Sequence, residues 1–152
     1  MGFILIPTSA VVQSAILSIY VSADYSGATR TLRAYRTLRA WVEAQATWNI
    51  YSTGNNWGTA GCSNTTTDRE ATDIGNVSVI DTLTAGTEVQ ISLTPAKVQE
   101  WISGTLTNNG LLLKVDTESG DAYRYHSHEG ATSNLRPKLV VTYTVPGFLL
   151  FM

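Results

Sequence analysis

Charge is scarce in this chain. Only 14% of its 152 residues are Asp, Glu, Lys or Arg, against roughly 25% in ordinary globular proteins. Ten basic and twelve acidic residues leave a net charge of −2. That balance builds no polyanion-binding surface and argues against a nucleic-acid partner. The run Arg30, Arg33, Arg36 and Arg39 would stripe a helix. In a strand, which the segment resembles more, it divides over both faces. Cysteine is nearly absent. Cys62 alone excludes an intrachain disulfide and any Cys/His metal cluster, and beside Gly61 it reads as a small buried or loop residue. Met1–Pro7 has no basic n-region and too short an apolar run for a secretory signal. Ile6 stands where a myristoylation pattern wants Ser or Thr. No run of about 18 apolar residues could span a membrane.

In place of charge there is neutral polarity: 21 Thr and 13 Ser beside 43% hydrophobic residues. Thr suits a pleated, half-buried surface, whereas long charged helix formers are few. The composition therefore reads as all-β, and the length as a single domain over 1–152.

Periodicity agrees. From Gln13 to Ala23, Ala15, Leu17, Ile19 and Val21 alternate with Ser14, Ile16, Ser18 and Tyr20, the pattern of a strand with one strongly apolar face. Ser26-Gly27 signals a turn. Thr31–Leu38 reads as a second strand, with Leu32, Ala34 and Leu38 on one face. A polar segment at 51–76 reads as a long loop, of the kind that is functional or packs as a small lobe. Val89, Ile91 and Leu93 alternate with Glu88, Gln90 and Ser92 in a further strand. One helix is predicted over Pro95–Ser103. Thr94 is positioned to cap it, Pro95 suits its first turn, Val98, Trp101 and Ile102 form its apolar face, and Gly104 ends it. Leu111–Val115 reads as a buried strand. A turn at Glu118–Asp121 leads to Ala122–Ser127, with Tyr123 and Tyr125 on one face. The last strand carries Leu139, Val141 and Tyr143 on one face. The expected fold is an antiparallel β-sandwich or jelly roll with one short helix.

The pieces Ser14–Tyr20, Trp41-Val42-Glu43, Thr47-Trp48-Asn49, Val98–Gly104, Asn109–Lys114, Ser127-His128-Glu129 and Pro137–Tyr143, in that order, resemble the DNRLRE (disaggregatase-related) domain family. This is a β-sandwich module also classed with carbohydrate-binding modules. The resemblance covers about Ile6 to Thr144. It implies that Trp41, Trp48 and Trp101 are core residues. It also implies extracellular polysaccharide contact, cell-surface stalks or viral structural roles, and it brings no shared catalytic site, so fold transfers better than function. Family members begin with a further strand or two before the position matched by Ser14. The apolar tail at 145–152 runs beyond the last family strand.

Several residues invite a chemical reading, each with a plainer one beside it. His126 and His128 would share a strand face next to Glu129, a possible zinc set or simply exposed polar side chains. The matched family position favours a small polar residue there. Asp116, Glu118 and Asp121 crowd a turn as calcium ligands could, but the spacing is not that of a calcium loop and acidic turns are ordinary. Glu43, Asp68, Glu70 and Asp73 could supply a glycosidase pair, yet nothing pairs them, and Asp68-Arg69-Glu70 reads as local ion pairing. Trp57, in Gly54-Asn55-Asn56-Trp57-Gly58, is the aromatic expected to contact a ligand or neighbouring subunit, with Tyr51, Asn55 and Asn56.

Three functions follow. The first is a non-enzymatic structural or adhesive subunit of an extracellular or viral assembly, such as a virion decoration, tail or fibre protein. The second is a polysaccharide-binding module of a secreted or cell-surface protein, and the third is an enzyme. The first is favoured. A sandwich without its first strands would expose an edge, and Phe148, Leu149, Leu150 and Phe151 would be costly left in water. Both are what a neighbouring subunit would cover. The expected partners are other protein subunits, with polysaccharide as the other candidate. No cofactor, metal or catalytic residue is expected.

Overall fold

In the computed structural model, which describes residues 6–24, 27–117 and 123–147, alternation of apolar side chains builds two facing layers. The chain runs through β1 (Val11–Asp24), β2 (Arg30–Arg36), a small hairpin of β3 (Ile50–Ser52) and β4 (Asn55–Asn56), β5 (Gly75–Val79), β6 (Glu88–Leu93), α1 (Pro95–Ile102), β7 (Leu111–Val115), β8 (Tyr123–Tyr125), a 3₁₀ turn at Ser133–Leu135, and β9 (Lys138–Thr144). β1 is the spine of the first sheet. It pairs antiparallel with β6 along one edge, Leu17 opposite Ile91. Along the other edge it pairs with β9, Leu17 opposite Leu139, and then with β8, Asp24 opposite Tyr123. The second sheet has β2 between β5 and β7, with Leu32 opposite both Val77 and Val115.

The two apolar faces meet. Ala15, Ile19, Val21, Val89, Ile91 and Leu93 of the first sheet pack with Leu32, Ala34 and Val79 of the second, and Ile74 and Val98 join them. Side chains as fully buried as Ile91 each contribute about 1.5–3 kcal/mol. The result is the expected all-β sandwich. β6 keeps strict alternation, with Val89, Ile91 and Leu93 buried between exposed neighbours.

α1 places Val98 in the core, with Trp101 and Ile102 packed against it. Two details differ from expectation. Thr94 does not cap the helix with its side chain. Its hydroxyl donates instead to the carbonyl of Ile74 at 3.0 Å, so it ties the helix start to the segment before β5. Gln99, given no role of its own in the sequence, clamps the helix to the start of β1. Its Nε2 donates to the Ala10 carbonyl at 2.9 Å and its Oε1 accepts from the Val12 amide at 2.8 Å.

The 51–76 segment is not a plain loop. It contains β3, β4 and the start of β5. Gly75 lets β5 lie close to β6, since a Cβ there would sit 2.3 Å from the Ser92 carbonyl oxygen. β7 is half-buried rather than buried. On β9, Leu139 is 42% exposed although it opposes core-facing Leu17. Among the described residues β9 pairs only with β1, and it forms an edge.

Candidate functional site

The lobe joining β2 to β5 carries three of the four tryptophans, and a single carboxylate organises it. Asp68 is fully buried. It accepts from the amides of Gly58 (2.9 Å), Thr59 (3.0 Å) and Asn64 (3.3 Å) and from the Thr67 hydroxyl (3.1 Å). Arg39 Nε lies 3.3 Å away. Burial pushes the Asp68 carboxyl upward, but these hydrogen bonds outweigh it and hold it below the usual range. An acidic residue is the natural choice where several loop amides converge, because it accepts through two oxygens.

This corrects the reading of Asp68-Arg69-Glu70 as local ion pairs. Asp68 reaches Arg39, and Glu70 reaches Arg36. The Arg69 guanidinium lies over the Tyr35 ring, 4.2 Å from its centroid. Arg36 is itself almost completely buried, on the same face of β2 as Leu32 and Ala34. It is paired with Glu70 through two nitrogens and with Glu100 at 2.7 Å, it donates to the Lys97 carbonyl at 2.9 Å, and it lies 5.9 Å from the Trp101 ring.

On this frame the aromatics take two different roles. Tyr51 and Trp57 meet with ring centroids 5.6 Å apart, as companions. Both are half-buried. The Arg39 guanidinium lies over Tyr51 at 4.7 Å, and the Trp57 indole N–H donates to the Thr47 carbonyl at 2.9 Å. Asn55 and Asn56 are exposed on β4, where Asn55 Nδ2 donates to Ser52 Oγ at 3.0 Å and steadies the turn.

The open indoles are those that the family resemblance placed in the core. Trp48 is 60% exposed and Trp41 39%. Thr47 Oγ1 accepts from the amides of Asn49 and Ile50, which makes a tight turn with Trp48 at its tip. The Trp48 benzo ring rests on Gly61, whose φ is +73°. Trp41 Nε1 donates to the Asn109 carbonyl at 2.7 Å. A groove of about 330 Å³ beside it is lined by Ala40, Trp41, Glu43, Asn108 and Asn109. Only Trp101 of the three keeps the packing role expected of it. The flanking Thr47 and Asn49, both turn formers, were the available sign that Trp48 sits on a tip. Asn109 was legible only as the start of a piece of the family resemblance, and Asn108 carried no sequence signal.

The other candidates disperse. β8 ends at Tyr125, so His126 and His128 do not share a strand face. His128 instead lies 3.3 Å from Glu43 and 2.7 Å from Glu129, at the same end as the Trp41 groove. Among the described residues no three His, Cys, Asp or Glu side chains gather to hold a metal. Asp116 accepts from the Thr31 amide at 3.2 Å, while Glu118 and Asp121 lie outside the described residues. Glu70 and Asp73 do line one concavity, of about 450 Å³. Each is engaged by an arginine, Asp73 with Arg33 at 2.6 Å, and the Arg36 hydrogen bond holds Glu70 below its ordinary pKa. Phe148, Leu149, Leu150 and Phe151 lie outside the described residues. No described helix is long and apolar enough to cross a membrane.

A family model described as the disaggregatase related repeat domain matches residues 5–141. This agrees with the resemblance read from the sequence. No curated protein and no solved structure matches the chain.

Proposed function

The chain belongs to the disaggregatase related repeat family, and on that premise we propose that it is a non-enzymatic adhesive module that holds polysaccharide at a cell or virion surface, through Trp48 and Trp41. The observation that carries this reading is the 60% exposure of Trp48 over the Gly61 backbone. An indole held from behind and open in front offers a sugar ring apolar contact at little entropic cost, because its rotamer is already restricted. The groove beside Trp41 adds the carboxylate of Glu43 and two asparagines, groups suited to hydroxyls. An enzymatic reading finds less support. A general acid needs a raised pKa, and the Arg36 hydrogen bond lowers that of Glu70.

A glycan array with immobilised protein, followed by titration of the best binder, tests the proposal. Trp48→Ala should weaken binding at least tenfold while the melting temperature stays put. Absence of binding to every polysaccharide, or binding indifferent to Trp48 and Trp41, overturns it.

The edge of β9 supports a second reading, as an assembly subunit. Leu139 (42% exposed) and Val140 (50%) lie on opposite faces of β9, Val145 (52%) follows its last residue, and Val11 (47%) begins the paired stretch of β1. An exposed apolar edge of this kind is a site for another chain. Sedimentation of wild type against Val140→Lys distinguishes the readings. A stable oligomer that the substitution dissociates favours the assembly role.

A further inference from the structure

β9 is an edge strand without the usual guards. Its seven residues, Lys138-Leu139-Val140-Val141-Thr142-Tyr143-Thr144, hold one charge and no proline. Edge strands are commonly blunted by lysine, by proline or by an inward-pointing charge. The Lys138 ammonium does not guard this one. It is drawn back over β1, to 3.6 Å from a Glu88 oxygen and 5.6 Å from the centre of the Tyr20 ring. Among the described residues the outer edge of β9 meets no other strand. Leu139 and Val141 oppose Leu17 and Ala15 on the core-facing side, yet Leu139 stays 42% exposed. The first sheet is open where a further strand would cover that face.

The side-chain order of β9 decides which strand fits. A partner must set apolar residues opposite Leu139 and Val141, and must not face Lys138 with another cation. β9 of a second copy does both. Run antiparallel about a two-fold axis at Val141, it sets Leu139 against Tyr143 of the second copy, and Val141 against its own equivalent. On the outer face Val140 meets Thr142 and Lys138 meets Thr144. All seven residues are then paired, and the two lysines stand at opposite ends, about 20 Å apart. Cross-strand pairs of aromatic with aliphatic and of aliphatic with Thr suit a pleated layer. A slip of one residue would turn the core face of one copy outward.

We propose, building on the assembly reading, that the partner at this edge is a second copy of the chain, joined β9 to β9 about a two-fold axis at Val141, so that the two first sheets form one continuous layer. Such a contact uses the same patch on both copies and closes at two.

Sedimentation of the full chain over a range of concentrations should give twice the chain mass. Val140→Lys, which puts a new charge on the shared layer, should weaken the dimer about tenfold or more. Register is read in the unsubstituted protein by isotope-filtered NMR on mixed labelled and unlabelled chains. The Leu139 methyls of one copy should contact the Tyr143 ring of the other. Disulfide trapping checks the register independently. Val141→Cys should cross-link under mild oxidation, because directly opposed residues stand about 4.5–5.5 Å apart at Cα, within disulfide reach. Val140→Cys should not, because its equivalent lies two residues along the opposing strand, about 8 Å away. An oligomer indifferent to Val140→Lys, one without the Leu139–Tyr143 contacts, or one that cross-links at residue 140 and not at 141 overturns the β9 pairing and leaves the assembly reading standing. A monomer at every concentration overturns both.

Discussion

Trp48 rests on Gly61 so closely that a Cβ at residue 61 would lie 2.4 Å from the indole Cη2. Gly61 also donates its amide to the Trp48 carbonyl and adopts φ +73°, a conformation that costs an L-residue roughly 1–2 kcal/mol. Gly61→Ala should therefore displace the indole and lower stability by about 1–2 kcal/mol. The expected signature is a shifted Trp48 indole N–H resonance together with loss of polysaccharide affinity. An unmoved resonance would mean that the ring is not seated on the glycine.

The tryptophans should separate cleanly in stability. Trp101 packs on the core beside Val98 and lies near the buried Arg36 guanidinium, so Trp101→Ala should cost about 3–5 kcal/mol. Trp48→Ala, at a 60% exposed site, should change urea midpoints little. Equal losses in the two variants would return Trp48 to the core.

What was legible from sequence follows physical range. β1, β6 and α1 were readable because each carries its own apolar period, and local alternation alone dictates which face goes inward. β5 was not, because Gly75, Asn76 and Ser78 interrupt its two valines, and it is stabilised by pairing with β2 at the edge of the second sheet and by packing against β6 of the first. Trp48 misled for a related reason. Indoles are core residues on average, and only the turn at Thr47–Ile50 with the distant Gly61 turns this one outward. The pairing of Tyr51 with Trp57 was legible. Their half-burial under Arg39 was not, since it depends on Asp68 holding Arg39 in place from 29 positions downstream.

Arg36 carries a prediction about geometry. Its guanidinium meets Glu70 through Nε and Nη2 and Glu100 through the third nitrogen, Nη1. Lysine keeps the charge but not the fork. Arg36→Lys should not rescue Arg36→Ala fully, and the alanine variant should lose about 3–5 kcal/mol because it strands carboxylates beside a buried site. Chemical denaturation of both variants measures this. Full recovery by lysine would mean that charge alone matters.

Stability should fall in acid. Unfolded carboxyls titrate near 3.9 for Asp and 4.3 for Glu. In the fold Asp68 is lowered by loop hydrogen bonds that outweigh its burial, and Glu70 is lowered by its hydrogen bond from Arg36. Below the unfolded values the unfolded chain binds the extra protons, so these groups stabilise the protein fully above about pH 5 and progressively less as pH drops through their folded values. Melting temperatures should be flat from pH 8 to 6 and decline below pH 4. A melting temperature that holds or rises below pH 4 would contradict these shifts.

Asp68 should be the residue on which the aromatic surface depends at a distance. Its Oδ1 accepts from Gly58 and Thr67, and its Oδ2 accepts from Thr59 and Asn64. Asparagine has nearly the same shape but replaces one oxygen with a donor. One of those pairs would then face an N–H, and Arg39 would lose its charged partner. Each buried donor left unmet costs about 1–3 kcal/mol. Asp68→Asn should therefore cost about 3–5 kcal/mol, with the damage concentrated in the lobe rather than the sandwich. Hydrogen exchange can localise it. Amides at Gly58, Thr59 and Asn64 should lose protection, Gly61 should loosen its bond to Trp48, and β1 and β6 should stay protected up to global unfolding. Polysaccharide affinity should fall with Gly61 although Asp68 is buried beneath the surface. If exchange rises equally throughout the sandwich, the lobe is not a separate unit, and Asp68 supports the whole fold instead.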